Sequence, residues 1–310
     1  MQNNISKIIY YCWFGGEKPQ KVIDCINNWM EMLPDYQIIE INDKNKSLFD
    51  IEKECENNLW FKTCFENKLW AYVSDYARLK VLYENGGVYF DTDITVEKNI
   101  DELLCKKKLI LGFEDFSSIN VAIAIVNKGN PILKEMLDFY NDEIWKTKLY
   151  TIPHVATYIL RKNYKLLSSK KITETENVII YPQEYFYPIP VGMKIRNEDI
   201  NHFKTNNTFT IHWNDGNWSS NRFYAGRDFF SKNKHKIELK KLLEYCFHEK
   251  IIIDTPFLKI SKTCSFWDIH IDFYWLFRFK YRYDLNKKRW LVVYIFGHPI
   301  KLFICSGENK

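Results

Sequence analysis

The stretch Leu69–Asp93, LWAYVSDYARLKVLYENGGVYFDTD, constrains this chain more than any other. Trp70, Val73, Ala77 and Val81 recur at steps of three or four, the spacing of a helix with an apolar face. Gly86-Gly87 provides the left-handed stop that ends such a helix. Val88–Phe90 is short, apolar and aromatic, as a strand buried on both faces reads. Asp91 and Asp93 then follow at its end. In an α/β sheet the carboxyl ends of the strands are where ligands bind.

The flanking sequence supports such a sheet. Lys7–Trp13 reads as a buried strand, Pro19–Met32 as a helix with Val22, Ile23 and Ile26 at helical spacing, and Tyr36–Ile41 as a second strand. This opening is a βαβ unit and predicts parallel pairing. Phe49–Asn67 is predicted as one helix, and Ile94–Val96 as an extension of the strand past the acidic pair. Leu109–Phe113, Val121–Val126, Val178–Tyr181 and Thr208–Trp213 read as strands, Pro131–Trp145 and His154–Lys162 as helices. The alternation persists to about residue 218. From about Arg227 the character changes. Ser231–Glu249 reads as a basic helix, Phe266–Tyr283 is dense in aromatics and Arg/Lys, and Arg289–Cys305 reads as two apolar strands around a Gly-His-Pro turn. The expected division is residues 1–226 and 227–310.

Composition narrows the function classes. Charged residues at 27% and apolar ones at 46% make a globular balance that excludes a disordered chain. A net charge of +5 fits a phosphate-bearing ligand or an anionic membrane surface and does not call for nucleic acid. The 17% aromatic content fits core packing and equally fits flat faces that stack on sugars or bases. None of the eight cysteines forms a C-x-x-C pair, which argues against a zinc ribbon or a thioredoxin-type motif. The start MQNNISKIIYYCW lacks a signal-peptide layout, and no segment reaches the roughly 18 apolar residues that span a bilayer. The expectation is a reduced, cytoplasmic protein; the C-terminal extension leaves two readings open, a helical cap and hairpin packed on the catalytic domain or peripheral contact at the inner face of the cell membrane.

Asp-x-Asp alone is a triplet that chance supplies; its surroundings give it meaning. Two carboxylates at the end of a buried strand repel each other unless a cation lies between them. Mg²⁺ and Mn²⁺ take oxygen ligands, using one or two carboxylates together with substrate phosphates. On the preceding helix, Asp75 and Arg78 are three apart and share a face. Spacing leaves two readings open: a surface ion pair, or a pair facing the same cleft as the aspartates.

The runs Ser74-Asp75-Tyr76-Ala77-Arg78 and Tyr83–Asp93 (YENGGVYFDTD) closely resemble the sugar-transferase motif of glycosyltransferase family 32. That family includes bacterial capsular-polysaccharide glycosyltransferases and yeast-type mannosyltransferases, and is similar to the catalytic domain of the large clostridial glucosylating toxins. KIIYYCWFGG at Lys7–Gly16, LGFED at Leu111–Asp115, Thr151–Pro153, YPQEYFYP at Tyr181–Pro188 and IHWNDGNW at Ile211–Trp218 resemble family blocks in the same order. The resemblance runs from about Ile5 to Trp218 and leaves the last third of the chain unexplained.

The resemblance implies a GT-A fold, a Rossmann-like, mostly parallel sheet flanked by helices, here with a mainly helical and hairpin C-terminal extension. It implies a nucleotide-sugar donor, most readily a UDP-sugar, a Mn²⁺ or Mg²⁺ ion, and retention at the anomeric carbon. Carried onto this sequence, Trp13 would stack on the nucleobase, with Tyr11 and Ser74 also in the donor site. Asp75 and Arg78 would bind donor-sugar hydroxyls, and Tyr89 the nucleotide. Asp91 would contact ribose or sugar and help hold the metal, and Asp93 would be its direct ligand. His212 is the candidate for a further metal ligand, with Asp215 behind it, and Trp218 for the diphosphate. The sequence marks no second carboxylate as a nucleophile, so the expected mechanism is same-face attack assisted by the departing phosphate. The expected acceptor is a saccharide or lipid-linked oligosaccharide of a capsular or surface polysaccharide. A protein-glycosylating transferase and a non-catalytic sugar- or nucleotide-binding module are the alternatives.

Overall fold

Strand β1 (Ile8–Cys12) is followed by helix α1 (Gln20–Met32) and strand β2 (Gln37–Ile41), and β1 and β2 pair in parallel from Ile8↔Gln37 to Cys12↔Ile41. These are the elements of a βαβ crossover, and α1 buries Val22, Cys25, Ile26 and Trp29. The computed structural model describes residues 5–115, 117–146, 149–164, 169–190, 193, 195 and 197–215, together with six strands between residues 250 and 306. The chain divides into two compact units, Met1–Ile237 and Glu238–Lys310. The expected break at 226/227 and the predicted basic helix over 231–249 lie outside the described residues, as does Trp218.

After β2 come α2 (Ile51–Asn57), α3 (Leu59–Glu66), α4 (Trp70–Asn85), β3 (Gly87–Phe90), β4 (Ile94–Val96), α5 (Asp101–Leu104), β5 (Leu109–Phe113) and β6 (Ile119–Val126). They are followed by α6 (Pro131–Asp138), α7 (Ile152–Asn163), β7 (Thr173–Glu174), β8 (Val178–Tyr181), α8 (Gln183–Phe186) and β9 (Thr210–His212). Seven strands form one sheet in the order β2-β1-β3-β6-β5-β8-β7. β1 pairs in parallel with β3, and β5 with β8. β6 runs antiparallel to both β3 and β5, so β3 and β5 point the same way and their carboxyl ends share one edge. Five of the seven strands run one way and β6 and β7 the other, so the sheet is α/β, mostly parallel in direction and flanked by helices, as expected of a GT-A fold.

Three local expectations are corrected. The single helix over Phe49–Asn67 is two, because Asn58 leaves helical geometry (φ −135°) and its side chain accepts the Phe61 N–H at 2.7 Å to cap α3. The segment Ile94–Val96 does not extend β3. It turns at Asp91–Ile94 and pairs antiparallel with β9 in a separate two-stranded sheet, Ile94 opposite His212. The helix over Pro131–Trp145 keeps α-helical form only to Asp138 and then loosens into wider and tighter turns.

Gly86 has φ +70° and ψ −170°, a backbone that essentially only glycine adopts. A Cβ there would also lie 2.7 Å from the Lys128 backbone N, so the stop between α4 and β3 needs glycine twice over. On β3, Val88 and Phe90 face a core shared with Trp29, Tyr11 and Trp13, while Tyr89 and Asp91 fall on the opposite face by strand alternation. In the second unit, β10 (Lys250–Asp254), β11 (Leu258–Lys262), β12 (Trp267–Phe273), β13 (Phe277–Tyr283), β14 (Lys288–Ile295) and β15 (His298–Ser306) form an antiparallel meander in chain order. The extension expected to be mainly helical and hairpin is strand throughout its described residues from 250 to 306, and the hairpin predicted over Arg289–Cys305 is β14–β15, closing at Ile295↔His298. Among the described residues no helix is long and apolar enough to cross a membrane.

Candidate active site

The site is built around Arg78, whose side chain is 5% exposed. Nε donates to the Ser74 carbonyl at 3.2 Å, and Nη1 to Asp91 Oδ2 at 3.1 Å and to the Val121 carbonyl at 3.2 Å. Nη2 reaches Asp75 Oδ1 at 3.0 Å and Asp91 Oδ1 at 3.1 Å. Three guanidinium N–H groups thus donate to protein acceptors, Nη2 is ion-paired with both aspartates, and the pairing with Asp91 is two-pronged. The guanidinium lies 4.6 Å from the centre of the Tyr89 ring, and the Tyr89 hydroxyl donates to Asp91 Oδ1 at 2.9 Å. Of the two readings of Asp75 and Arg78, the surface pair is excluded: both are buried on the Asp91 face.

Asp75 has a second task. Its Oδ2 accepts the Ile152 N–H at 3.1 Å, so a carboxylate from α4 caps the first turn of α7, where negative charge is favoured. Burial pushes its pKa up to about 7 even though Arg78 pulls it down. Ser74 is buried beside it, and its hydroxyl has no hydrogen-bond partner.

Asp93 and His212 meet through the β4–β9 pairing. His212 Nε2 lies 3.2 Å from Asp93 Oδ1, the Asp215 N–H donates to Asp93 Oδ2 at 3.1 Å, and the Trp213 N–H donates to the Asp93 carbonyl at 2.9 Å. Asp215, expected behind His212, supplies this amide and pairs its carboxylate with Lys21 at 2.9 Å. Burial raises the Asp93 carboxyl, but His212 and the Asp215 amide more than offset it and hold it below its ordinary value. Burial opposes charge on His212, yet Asp93, Asp91 and Glu114 together hold its pKa up at about 9. For Asp91 burial dominates over Arg78 and its pKa rises.

Asp91, Asp93 and His212 each offer a ligand atom, all within 4.8 Å of one another. That spread is close to two opposed metal–oxygen bonds of about 2.1 Å each. Two carboxylates and an imidazole suit a divalent cation of the Mn²⁺ or Mg²⁺ kind, and the imidazolium proton of His212 stands where such a charge would bind. The residues present fit the ion. Beside them a cavity of about 490 Å³ is lined by Lys21, Asp24 and Cys25 of α1 and by Thr95, Trp213, Asn214 and Asp215.

Six of the expected residues thus converge: Asp75, Arg78, Tyr89, Asp91, Asp93 and His212. Tyr11 and Trp13 lie on the other face of β1. The Tyr11 hydroxyl donates to Glu40 at 2.6 Å and its ring meets Trp29 edge-on, while Trp13 is 8% exposed with Nε1 donating to the Gly16 carbonyl. Cys12 between them faces the Arg78 side, with Sγ 3.9 Å from the Ser74 carbonyl.

The structure adds three residues that sequence reasoning did not single out. Tyr187 packs edge-on against His212 with ring centres 5.7 Å apart, and its hydroxyl accepts the Ile123 N–H. Gly112 makes room for it, since a Cβ there would lie 2.7 Å from Phe186 and 3.0 Å from Tyr187. Glu114, bound to Asn120, is the third carboxylate whose charge reaches His212. Tyr187 and Glu114 fall in YPQEYFYP and LGFED, blocks that resembled the family without pointing to a residue.

Residues 19–110 match the family model described as glycosyltransferase sugar-binding region containing DXD motif, which bears out the resemblance carried by Ser74–Asp93. The chain is similar to "Subversion of eukaryotic traffic protein A" of Legionella pneumophila, at 27% identity over 43% of this chain and 24% of that protein. It is also similar to the lactosylceramide 4-alpha-galactosyltransferase of Mus musculus, at 32% identity over 46% of this chain and 40% of that one. Among solved structures, the PaToxG glycosyltransferase aligns with a TM-score of 0.43 at 21% identity, over 54% of this chain and 72% of that chain. The matches span a quarter to two fifths of the length of these two curated relatives.

Proposed function

We propose, from a sugar-binding region of the DXD type, that this chain is a glycosyltransferase moving a hexose from a nucleotide-sugar donor to a hydroxyl of a saccharide acceptor. The observation that carries the reading is the convergence of Asp91 and Asp93, inside the matched region, with His212, about 100 residues beyond its end, at the ligand-bearing edge of the sheet. Two donors two residues apart, joined by a third more than 100 residues on, are more than a binding-only module needs. A Mn²⁺ or Mg²⁺ ion held by Asp93, Asp91 and His212 would act as a Lewis acid on the leaving nucleoside diphosphate. Arg78 serves by fixing the Asp91 carboxylate, its guanidinium being engaged by the Ser74 and Val121 carbonyls and by Asp75 and Asp91. Asp93 is held ionised by His212 and the Asp215 amide, ready to accept a cation.

UDP-sugars are the first choice of donor. The mouse relative is named as a 4-alpha-galactosyltransferase, and forming an α-linkage from an α-linked nucleotide sugar is retention. Retention here proceeds by same-face attack with the departing phosphate taking the acceptor proton. Asp75 and Asp91 are both tied to Arg78, which argues against either as a covalent nucleophile. A glycosyl-enzyme trapped on any Asp or Glu overturns the one-step route. The acceptor is a saccharide or lipid-linked oligosaccharide of a surface polysaccharide, worked from the cytoplasmic side with peripheral membrane contact through residues 227–310. The printed name of the mouse protein favours a second reading, a glycolipid acceptor. Screening UDP- and GDP-sugars for Mn²⁺-dependent hydrolysis, then offering oligosaccharide and glycolipid acceptors, tests donor and acceptor in turn. Absence of turnover with every donor that binds leaves a binding module. Full-length chain that fails to co-float with anionic liposomes removes the membrane contact.

A further inference from the structure

Glu114 follows the last residue of β5, and β5 runs in the same direction as β3, two strands away with β6 between them. Glu114 and Asp91 therefore stand at the same edge of the sheet. At a strand spacing of about 4.8 Å they are roughly 10 Å apart laterally. That is about the distance from a diphosphate oxygen across a hexose ring to its far hydroxyls.

The placement of Glu114 is fixed on every side but one. Its backbone N–H donates to the Ser118 carbonyl at 2.9 Å, closing the β5–β6 hairpin. Asp115 Oδ1 braces that hairpin by accepting from the Ser117 and Ser118 amides, both at 2.6 Å. Glu114 Oε2 accepts from Asn120 Nδ2 at 2.6 Å. The Asn120 amide cannot turn away, because its Oδ1 accepts from the Val121 and Ala122 N–H groups at 2.7 and 3.0 Å. The same short run of β6 supplies the Val121 carbonyl to Arg78 and the Ala122 carbonyl to the Asp91 N–H at 2.8 Å. Glu114 is thus wired to the frame that holds Asp91. Its other oxygen, Oε1, has no hydrogen-bond partner and is not sealed in the core. A half-buried carboxylate held by one oxygen and offering the other matches what a sugar hydroxyl needs, a fixed acceptor at low reorganisation cost.

We propose that Glu114 Oε1 accepts a hydrogen bond from a hydroxyl of the donor hexose, making Glu114 a determinant of which sugar is held and how it is turned toward the acceptor. The assignment rests on the nucleotide-sugar reading of the site and adds a residue outside the metal-binding group. It separates two parts of the donor: the metal group holds the nucleoside diphosphate, and Glu114 touches only the sugar.

Calorimetric titration in Mn²⁺ of the full chain with UDP, GDP and the matching UDP- and GDP-hexoses tests it. Because the Glu114 charge also reaches His212, Glu114→Gln and Glu114→Ala should change free nucleoside diphosphate binding far less than nucleotide-sugar binding. They should bind the nucleotide sugar more weakly, by roughly 10- to 100-fold for the alanine variant, the range of a hydrogen bond to a charged group. Glu114→Gln keeps an acceptor for Asn120 and so keeps the hairpin. Unchanged nucleotide-sugar affinity in both variants overturns the assignment, as does an equal loss for diphosphate and nucleotide sugar. Wild type that binds neither overturns the donor reading itself, and the role of Glu114 falls with it.

Discussion

Replacing Arg78 with alanine removes the one cation that Asp75 and Asp91 share. Arg78 sits at 5% side-chain exposure, Asp75 at 9% and Asp91 at 24%, so water cannot fully repair the loss. Removing one partner of a buried pair costs about 3–5 kcal/mol, because the remaining charge is left uncompensated. For a domain of this size roughly 2–4 °C accompany each kcal/mol, which puts the expected fall in Tm near 10 °C. The deficit depends on pH. Burial already raises both carboxyl groups, and Arg78 is the main attraction holding them down. Without it both folded-state pKa values climb further above their unfolded values, and the folded protein binds more protons than the unfolded one between them. Lower pH then favours the folded variant, so the deficit at pH 8 should shrink markedly by pH 5. Thermal unfolding followed by circular dichroism at both pH values measures this. A Tm loss under about 2 °C, or an equal loss at pH 8 and pH 5, would refute the view of Arg78 as the charge that organises the site. Arg78→Lys should recover only part, since three N–H groups cannot serve five acceptor contacts.

Three further outcomes follow from other parts of the fold. Gly86→Ala should cost more than about 2 kcal/mol in urea unfolding, since φ +70° with ψ −170° disfavours any side chain and the new Cβ would press on the Lys128 backbone. Gly112→Ala should lower metal-dependent donor binding as well as stability, because it displaces Phe186 and Tyr187, and Tyr187 packs on His212. Glu114, raised by burial from 4.5 to about 7, should make the wild type lose stability as pH rises between those values. Asp75 and Asp91 are raised by burial too and keep their share of the loss, so Glu114→Gln should reduce it and be the more stable form at pH 8, by at most about 3 kcal/mol, with no such gain at pH 4.

Much of this was legible in the chain because short-range rules governed it. The Gly86-Gly87 stop, the buried Val88–Phe90 strand and the βαβ opening follow from local spacing, and all appear where expected. Reversal of β6 was not legible: Ile119–Val126 is buried along its whole length, and a strand buried on both faces reads alike in either direction. The break at Asn58 went unseen because a side-chain cap can end one helix and start the next within a single polar stretch. In the site, Asp91 and Asp93 stood out by position, whereas Arg78 could be read as a surface partner until the structure buried it. Glu114 depends on a hairpin and on the orientation of Asn120, both long-range results of folding. Tyr11 and Trp13 are placed by strand alternation on the Trp29 face of β1.

Binding of the nucleotide-sugar donor to wild type and Asp93→Ala, titrated with and without Mn²⁺, tests the central claim most directly. Asp93 is held by His212, the Asp215 amide and its own turn, so alanine removes a metal ligand from a frame that remains. Wild type should bind the donor only when the ion is present, and Asp93→Ala should lose that dependence together with the affinity. Donor binding that ignores Mn²⁺, or that is the same in Asp93→Ala, would contradict a metal-assisted donor site at Asp91, Asp93 and His212.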